Sequence, residues 1–321
     1  MHQDIAHVGV VGAGAVGCFY AALLARAGLR VTLVGRPAQV DAVRRDGLQL
    51  EMAGRRQAIA LQATTELAAL RDADLVAVAV KSADTAALAA ALAPQLAPGA
   101  TVMSLQNGID NPEALAAVLP QPVVPVAVYV ATASPAPGVV VHHGRGDLVV
   151  GRGPAPAGGA AVADWDARLQ AIVAAFGAAG IAVQVVPDVM AELWTKLVVN
   201  CAWNAASALA RAPYGRLAAV PALAGLQAAV VDEALAVARA AGQALDEAGV
   251  RAAVARIGAA MPGQHSSTAQ DLARGKPTEI DFLNGAIARR GAAMGVATPV
   301  NQTLWALVRL AEQAGPAPGG G

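Results

Sequence analysis

The sequence contains little of what several protein classes require. Only two cysteines, Cys18 and Cys201, occur among 321 residues, which argues against a disulfide framework and predicts a reducing, cytoplasmic setting. The 23 basic residues equal the 23 acidic ones, so the excess of Lys and Arg typical of nucleic-acid binding is missing. The five histidines lack metal-ligand spacing, and no nucleophilic triad signature is present. We therefore expect neither a metal nor a nucleic-acid partner.

Long uninterrupted hydrophobic runs are missing too, although 56% of the residues are hydrophobic. Much of this fraction is alanine, a strong helix former. The most apolar run, Leu217 to Val231, is interrupted by Pro221 and Gln227 and is shorter than the roughly 20 residues that a bilayer needs. The first residues also lack the pattern of a signal peptide. Neither a membrane span nor a signal peptide is expected.

What the sequence does contain is an alternation typical of an α/β protein. Short apolar runs begin at Val8, Val31, Leu75 and Thr101, and Ala- and Leu-rich helical stretches separate them. The runs show no in/out alternation, as expected of strands covered on both faces, so they predict a Rossmann-type, doubly wound parallel sheet. Strand-like segments between 123 and 150 predict an antiparallel extension, and a last strand is expected at 181–186.

After Pro187 the sequence shows helical patterns and no convincing strand. We therefore predict a dinucleotide-binding domain of residues 1–187, an all-α domain of residues 188–314 for substrate binding and dimerisation, and a disordered tail of residues 315–321. The Ala-rich helices after Pro213 are candidates for burying the face of a homodimer.

A glycine motif follows the first predicted strand and opens a helix. A lone G-x-G-x-x-G is weak evidence, but here a second strand ends at Val34 and completes a βαβ unit. In such a unit the first glycine permits a tight turn, the second lets a pyrophosphate approach and the third allows helix and strand to pack closely. The alternative is a strand-to-helix turn without a ligand. The candidate cofactor residues are Gly12, Gly14, Ala15, Val16 and Gly17.

Cofactor choice is read at the end of the second strand, where an Asp or Glu would bind the ribose 2′-hydroxyl of NAD. This sequence has Gly35 and Arg36 there. A guanidinium binds a 2′-phosphate through paired hydrogen bonds, so Arg36 predicts NADPH as the cofactor. The alternative is a solvated loop arginine.

Two further groups of polar residues are candidates for chemistry. Lys196, Asn200 and Asn204 recur every four residues and form one polar ridge on an otherwise apolar predicted helix, as a site for a small polar substrate would. Near the end, Thr278 is a candidate N-cap that would place Glu279 in a first helical turn, where the dipole favours its ionised form. A solvated helix edge and simple dipole complementation are the alternatives.

Several segments, taken in order, resemble the ketopantoate reductase (2-dehydropantoate 2-reductase) family. They are Gly12–Gly17, Val80-Lys81, Leu105-Gln106-Asn107-Gly108, the stretch from Glu192 to Cys201, and Ser266-Ser267 with Glu279-Ile280-Asp281. The resemblance covers roughly the whole chain. It implies a Rossmann domain, a helical domain and an active site in the cleft between them.

The resemblance also implies roles for the residues that match the family's motifs. Lys196 would be the general acid that polarises and protonates the C2 carbonyl of a small 2-keto acid. Glu279 would accept a hydrogen bond from the substrate hydroxyl, and Ser267 would contact the substrate carboxylate. Asn200 and Asn204 would orient the substrate.

On the cofactor side, the resemblance places Asn107 and Lys81 near the nicotinamide and the substrate, and Arg36 at the 2′-phosphate. For Lys196 to act as an acid near neutral pH, burial or a neighbouring cation such as Lys81 should lower its pKa. The leading hypothesis is therefore NADPH-dependent reduction of 2-dehydropantoate to pantoate, a step of pantothenate biosynthesis that leads toward coenzyme A.

One residue departs from the family pattern. Tyr214 stands where family members often carry an asparagine, so reduction of another 2-keto acid remains an alternative. A non-catalytic protein that senses NADPH is a second alternative, against which Lys196 argues.

Overall fold

The computed structural model describes residues 5–159 and 162–314. The described residues include a sheet of ten strands, which alternate with helices in the first half of the chain. The strands are β1 (His7–Val11), β2 (Arg30–Val34), β3 (Leu48–Met52), β4 (Arg55–Ile59), β5 (Gln62–Thr64), β6 (Leu75–Val78), β7 (Thr101–Ser104), β8 (Val123–Ala133), β9 (Val139–Val150) and β10 (Val183–Val185).

The strand order is β4-β3-β9-β8-β7-β6-β1-β2-β5, with β10 beside β9. All neighbouring pairs from β8 to β5 are parallel, whereas β8 and β9 form an antiparallel pair. The chain passes from β1 to β2 on one side and returns to β6 on the other, so the order reverses at β1. In open α/β sheets, ligands bind at the carboxyl ends of the strands beside such a reversal. The predicted doubly wound sheet with its antiparallel extension is confirmed.

The prediction missed strands β3, β4 and β5. Strand β4 begins with Arg55, Arg56 and Gln57, lies at the end of the sheet and pairs with β3 alone, so it lacks the apolar signature of a buried strand. Ala53 and Gly54, both with positive φ, form the turn between β3 and β4. Alanine rarely adopts that conformation in a hairpin turn, so the turn could not be predicted from the sequence.

The helices cover the sheet and then continue without strands. They are α1 (Ala15–Arg26), α2 (Pro37–Asp46), α3 (Thr85–Leu92), α4 (Asn111–Ala116), α5 (Trp165–Ala178), α6 (Val189–Ala210), α7 (Tyr214–Ala218), α8 (Pro221–Ala240), α9 (Glu247–Ala260), α10 (Ser267–Ala273), α11 (Asn284–Met294) and α12 (Pro299–Ala314). Two buried apolar clusters pack against the sheet, one containing Phe19, Tyr20 and Phe176.

The chain divides into two compact units, one up to Met190 and one from Ala191. The division falls inside α6, three residues beyond the boundary expected at Pro187, because one continuous helix begins at Val189 and belongs mostly to the second unit. In the second unit the described residues form helices and single turns only. The tail expected to be disordered, residues 315–321, lies outside the described residues.

Helix α8 differs from its sequence interpretation. Pro221 begins this helix instead of interrupting it, and the resulting 20 residues are long and apolar enough to cross a membrane by length and composition. In the most apolar window of α8, 39% of the residues are buried, and core helices of soluble proteins pass the same length test. The absence of a membrane span and the homodimer face expected after Pro213 both stay predictions.

Candidate active site

The glycine loop takes the conformation that its three glycines were predicted to permit. Gly12 has a φ of 110°, and a Cβ there would stand 2.6 Å from the Ala79 carbonyl carbon. A Cβ at Gly17 would overlap the Gly12 carbonyl oxygen, so the tight turn and the close approach of α1 both require glycine. The loop thus packs on the chain that follows β6, at the reversal of strand order.

Gly14 differs from the other two because no atom lies within 4 Å of the position of its Cβ. It is exposed and stands immediately before α1, a helix of 12 residues. The first amides of a helix have no acceptor within the helix and carry its positive dipole end, so they suit a phosphate. Open space above Gly14 beside these amides at Ala15 and Val16 therefore suits the pyrophosphate of a dinucleotide.

Arg36 lies next to this loop. Gly35 follows the last residue of β2 and lies so close to the loop that a Cβ there would stand 2.6 Å from the Ala13 Cβ. Arg36 follows as the N-cap residue of α2, and its side chain is exposed. Among the described residues its guanidinium makes no hydrogen bond or ion pair, so it is available to an anionic ligand group.

Lys81 and Asn107 follow β6 and β7, two adjacent parallel strands, and therefore lie at the same edge of the sheet as the glycine loop. Lys81 is exposed and Asn107 is half-buried. Beneath them lies a group of buried polar side chains that the sequence prediction missed: Ser82, Thr85, Ser104, Gln106 and Asn111. Gln106 follows the apolar strand β7 closely, which is a signal visible in the sequence, whereas Thr85 and Asn111 begin helices further along the chain and carry no such signal.

In the second unit, α6 carries the predicted ridge. Asn204 is buried, with 4% of its surface exposed, and Lys196 and Asn200 are half-buried. The flanking residues Leu197, Val198 and Cys201 are buried, so the ridge is a polar row in an apolar helix, as predicted.

The structure brings Asn204 and Ser267 together. The Asn204 side-chain amide donates to the Ser267 hydroxyl at 3.5 Å, across 63 residues of sequence. The adjacent Ser266 is buried, and its hydroxyl donates to the Asn204 carbonyl oxygen at 3.1 Å and accepts from the Ala269 amide at 3.0 Å. Its own amide donates to the Ser207 hydroxyl at 3.2 Å. Ser266 and Ser207 thus attach the start of α10 to α6, which the sequence reasoning did not foresee.

Glu279 is buried, with 8% of its surface exposed, but the helix expected after Thr278 is only a single turn over Ile280–Phe282. The Thr278 hydroxyl accepts from the Ile280 amide at 3.2 Å, but the N-cap residue of the turn is Glu279, so the expected N-cap role of Thr278 is wrong. Glu279 lies before this turn, so the prediction that it lies in a first helical turn is wrong. A single helical turn has only a small dipole. The environment of the Glu279 carboxylate is therefore determined by its burial and not by a helix dipole.

Tyr214, the residue that departs from the family pattern, is buried against Trp203. Their ring centroids are 5.2 Å apart at an interplanar angle of 66°, and the Trp203 indole donates to the Val254 carbonyl oxygen at 3.0 Å. Burial raises the pKa of the Tyr214 phenol above its usual value.

Two family models match the chain in succession. The model described as "Ketopantoate reductase PanE/ApbA" matches residues 8–155, and that described as "Ketopantoate reductase PanE/ApbA C terminal" matches residues 188–312. The first covers the sheet with the glycine loop, and the second covers the helices with Lys196 and Glu279.

Relatives and solved structures agree over nearly the full length. A 2-dehydropantoate 2-reductase of Halobacterium salinarum is 37% identical, over 95% of this chain and 99% of its own. A PanE/ApbA family ketopantoate reductase from Ralstonia eutropha is 45% identical, with a TM-score of 0.88 over 96% of this chain and 99% of its own.

A D-mandelate dehydrogenase solved with NADH and anilino(oxo)acetate superposes with a TM-score of 0.87, over 96% of this chain and 99% of its own. Its sequence is 23% identical to this chain, so this likeness shows a common fold alone. The two consecutive family models and the full-length relatives show more: this chain belongs to the ketopantoate reductase PanE/ApbA family and is an oxidoreductase of the 2-dehydropantoate 2-reductase type.

Proposed function

We propose that the chain reduces the C2 carbonyl of 2-dehydropantoate to the alcohol of pantoate, with NADPH as the reductant. The observation that carries this proposal is the polar row on α6, in which Lys196 lies two helical turns from the Asn204 amide that bonds Ser267. A cation and two amides on a largely apolar helix, with the Ser267 hydroxyl of α10 bonded to one of the amides, suit a small substrate with a carbonyl and a carboxylate. The names of the full-length relatives support the same substrate.

NADPH is the proposed cofactor because of the end of β2. Arg36 is exposed beside the glycine loop, and neither it nor Gly35 supplies the carboxylate that would bind a ribose 2′-hydroxyl. The D-mandelate dehydrogenase of the same fold was solved with NADH, so the fold alone does not select the phosphate. Arg36 is the residue that would do so.

The proposed roles are those that the resemblance to the family implies, and the chemistry of each side chain suits its role. NADPH, when bound, supplies a hydride to the C2 carbon of the keto acid. The Lys196 ammonium group donates a hydrogen bond to the carbonyl oxygen and then transfers a proton to it, so the product is the neutral alcohol. Asn200 and Asn204 orient the substrate, the Ser267 hydroxyl contacts its carboxylate, and Glu279 accepts a hydrogen bond from its hydroxyl. The amides at Gly14 to Gly17 hold the pyrophosphate, and Asn107 and Lys81 contact the nicotinamide side.

The experiment is a steady-state assay of the purified chain, in which the loss of NADPH absorbance is followed with 2-dehydropantoate as the substrate. We expect saturable turnover, with KM in the micromolar to millimolar range usual for enzymes and with NADPH preferred over NADH. Absence of NADPH oxidation over that whole concentration range would remove the proposal.

Tyr214 favours a second candidate, reduction of a different 2-keto acid. Tyr214 packs against Trp203 with 8% of its surface exposed, so the polar amide that family members often carry is missing from this position, which favours a substrate with a less polar side chain. A panel of keto acids ranked by kcat/KM separates the two candidates. A bulky apolar keto acid that exceeds 2-dehydropantoate by tenfold or more would establish the second.

A further inference from the structure

We propose that Thr85 and Asn111 are positioning residues, which lock the loop carrying Lys81 to the loop carrying Asn107. The proposal rests on the function proposed above, in which these two loops face the nicotinamide. Neither residue belongs to the glycine loop, the polar row on α6 or the Ser266–Ser267 segment. Thr85 begins α3 after β6, and Asn111 begins α4 after β7.

The two residues bond each other directly. The Thr85 hydroxyl donates to the Asn111 side-chain oxygen at 2.7 Å and accepts from the Gln106 side-chain amide, also at 2.7 Å. The second hydrogen of that Gln106 amide goes to the Val80 carbonyl oxygen at 3.2 Å. The Gln106 amide thus connects the residue before Asn107 directly to Val80, the residue before Lys81, and Thr85 links this amide to Asn111.

Asn111 makes a second connection. Its side-chain amide donates to the Asn107 carbonyl oxygen at 2.7 Å and to the Ser82 hydroxyl at 3.0 Å. The Ser82 hydroxyl in turn donates to the same Asn107 carbonyl oxygen at 3.2 Å. The Asn107 carbonyl oxygen therefore accepts two hydrogen bonds, one from Ser82 in the first loop and one from Asn111 in the second.

All hydrogen bonds of the network can form at the same time, because every donor meets an acceptor. The Ser104 hydroxyl donates to the Gln106 side-chain oxygen at 3.2 Å, so each N–H and O–H of the five side chains has an acceptor. All five residues are buried, with exposed fractions between 1% and 4%. A fully satisfied buried network is rigid and specific, whereas loss of one member leaves its partners unpaired.

Stability alone would not require this arrangement, because replacing both partners of a buried hydrogen bond with apolar groups of the same shape can be nearly neutral or stabilising. The network instead joins the carboxyl ends of two adjacent parallel strands, where a doubly wound sheet binds its ligand. A displacement of about 1 Å in catalytic geometry costs on the order of a hundredfold in rate. Fixing these loops is therefore the role that the polar network fulfils best.

The test compares Thr85→Val with Thr85→Ser and with a matched control, Thr32→Val. Valine has the shape of threonine without the hydroxyl, and serine keeps the hydroxyl. Thr32 is likewise buried, and its hydroxyl bonds the side chains of His7 at 2.9 Å and Gln62 at 3.2 Å, near the amino ends of β1 and β5. Both valine variants thus lose one buried hydroxyl with two partners, at opposite edges of the sheet.

We expect Thr85→Val to lower kcat/KM about tenfold or more and Thr85→Ser to keep it within about threefold. Thr32→Val should lower the melting temperature to a similar extent while kcat and both KM values stay within about twofold of the parent. The proposal is overturned if Thr85→Val keeps the parental kcat and KM, or if kcat/KM falls as far in Thr32→Val as in Thr85→Val. Should Thr85→Val fail to fold, Ser82→Ala, which removes one link, is held to the same criteria.

A different outcome identifies failure of the proposed function itself. If the parent chain turns over no keto acid, the positioning role is tested through the dissociation constant of NADPH, which is measured by quenching of protein fluorescence. A dissociation constant raised about tenfold in Thr85→Val but unchanged in Thr32→Val supports the positioning role, and equal values in all variants overturn it.

Discussion

Gly17 lies so close to Gly12 that a Cβ on Gly17 would overlap the Gly12 carbonyl oxygen, and the Ala79 Cβ would stand 3.2 Å away. Gly17→Ala must therefore push α1 away from the loop. We expect NADPH affinity to fall at least tenfold and the free energy of unfolding to fall by about 1–3 kcal/mol, as overpacking does.

The matched control for Gly17→Ala is Gly177→Ala in α5, where no atom lies within 4 Å of the new Cβ. Alanine at such a helical position stabilises a protein by up to about 1 kcal/mol and should leave NADPH affinity unchanged. Urea unfolding and NADPH titration of both variants decide the point. Equal affinity of Gly17→Ala and the parent would contradict the dinucleotide role of the loop.

A second prediction concerns the 2′-phosphate of NADPH. Arg36→Ala removes a guanidinium that would make charge-assisted hydrogen bonds, each worth about 1.5–3 kcal/mol, so KM for NADPH should rise about 10- to 100-fold. KM for NADH, which lacks the phosphate, should change little. Arg45→Ala, an exposed arginine in the last turn of the same helix, is the control and should change neither value. Parallel losses with both cofactors would assign Arg36 a structural role instead.

The sequence predicted strands β1, β2, β6 and β7 because each is mainly apolar and is followed by a helix, and it missed β5, a parallel strand of only three residues at the end of the sheet. It missed β4 because Arg55, Arg56 and Gln57 are polar residues on a strand that pairs on one side only. Its pairing with β3 depends on a backbone turn at Ala53 and Gly54, which residue patterns within either strand do not reveal.

A third prediction tests the general acid. Lys196→Ala should lower kcat about 10²- to 10⁴-fold, because a proton must then reach the carbonyl oxygen from water, and should leave the NADPH dissociation constant nearly unchanged. The chain has three lysines, and Lys276, exposed in the same unit, provides the control Lys276→Ala. Single-turnover kinetics separate loss of chemistry from loss of binding. An undiminished single-turnover rate in Lys196→Ala would exclude the role.

A fourth prediction separates two adjacent serines. Ser266 is buried, caps α10 and bonds Asn204 and Ser207, so Ser266→Ala should destabilise the chain by about 1–2 kcal/mol. Ser267 is exposed, so Ser267→Ala should change stability by less than about 0.5 kcal/mol yet raise KM for the keto acid. Thermal unfolding and steady-state kinetics of the pair measure both effects. A lowered melting temperature in Ser267→Ala with unchanged KM would reverse the assignment.

The sequence could place Lys196, Asn200 and Asn204 together because helical periodicity alone sets their spacing. It could not show that Ser267 meets Asn204, since 63 residues separate them and that contact depends on how α10 docks. For the same reason the link between Thr85 and Asn111 was not foreseen: each residue looks like an ordinary helix start, and only the parallel pairing of β6 with β7 brings them together.

The last prediction concerns the two thiols. Cys18 and Cys201 have no exposed surface, and burial raises the pKa of Cys18 to about 12 and that of Cys201 above its usual range. Neither should react with a thiol reagent at pH 8 in the folded chain, and both should react in denaturant. Because the unfolded thiols lose their protons near pH 9 while the folded ones keep theirs, their contribution to stability is complete below that pH. Above pH 9 each thiol's contribution to the free energy of unfolding falls by about 1.4 kcal/mol for each further pH unit, up to the pKa of the folded thiol.

Urea unfolding at pH 8 and pH 10 measures this decline, and Cys18→Ala should reduce it by the share of one thiol. The alanine also leaves a small cavity, but that cost is the same at both pH values and cancels in the difference. An equal decline in the variant and the parent would contradict the raised pKa of the buried Cys18 thiol.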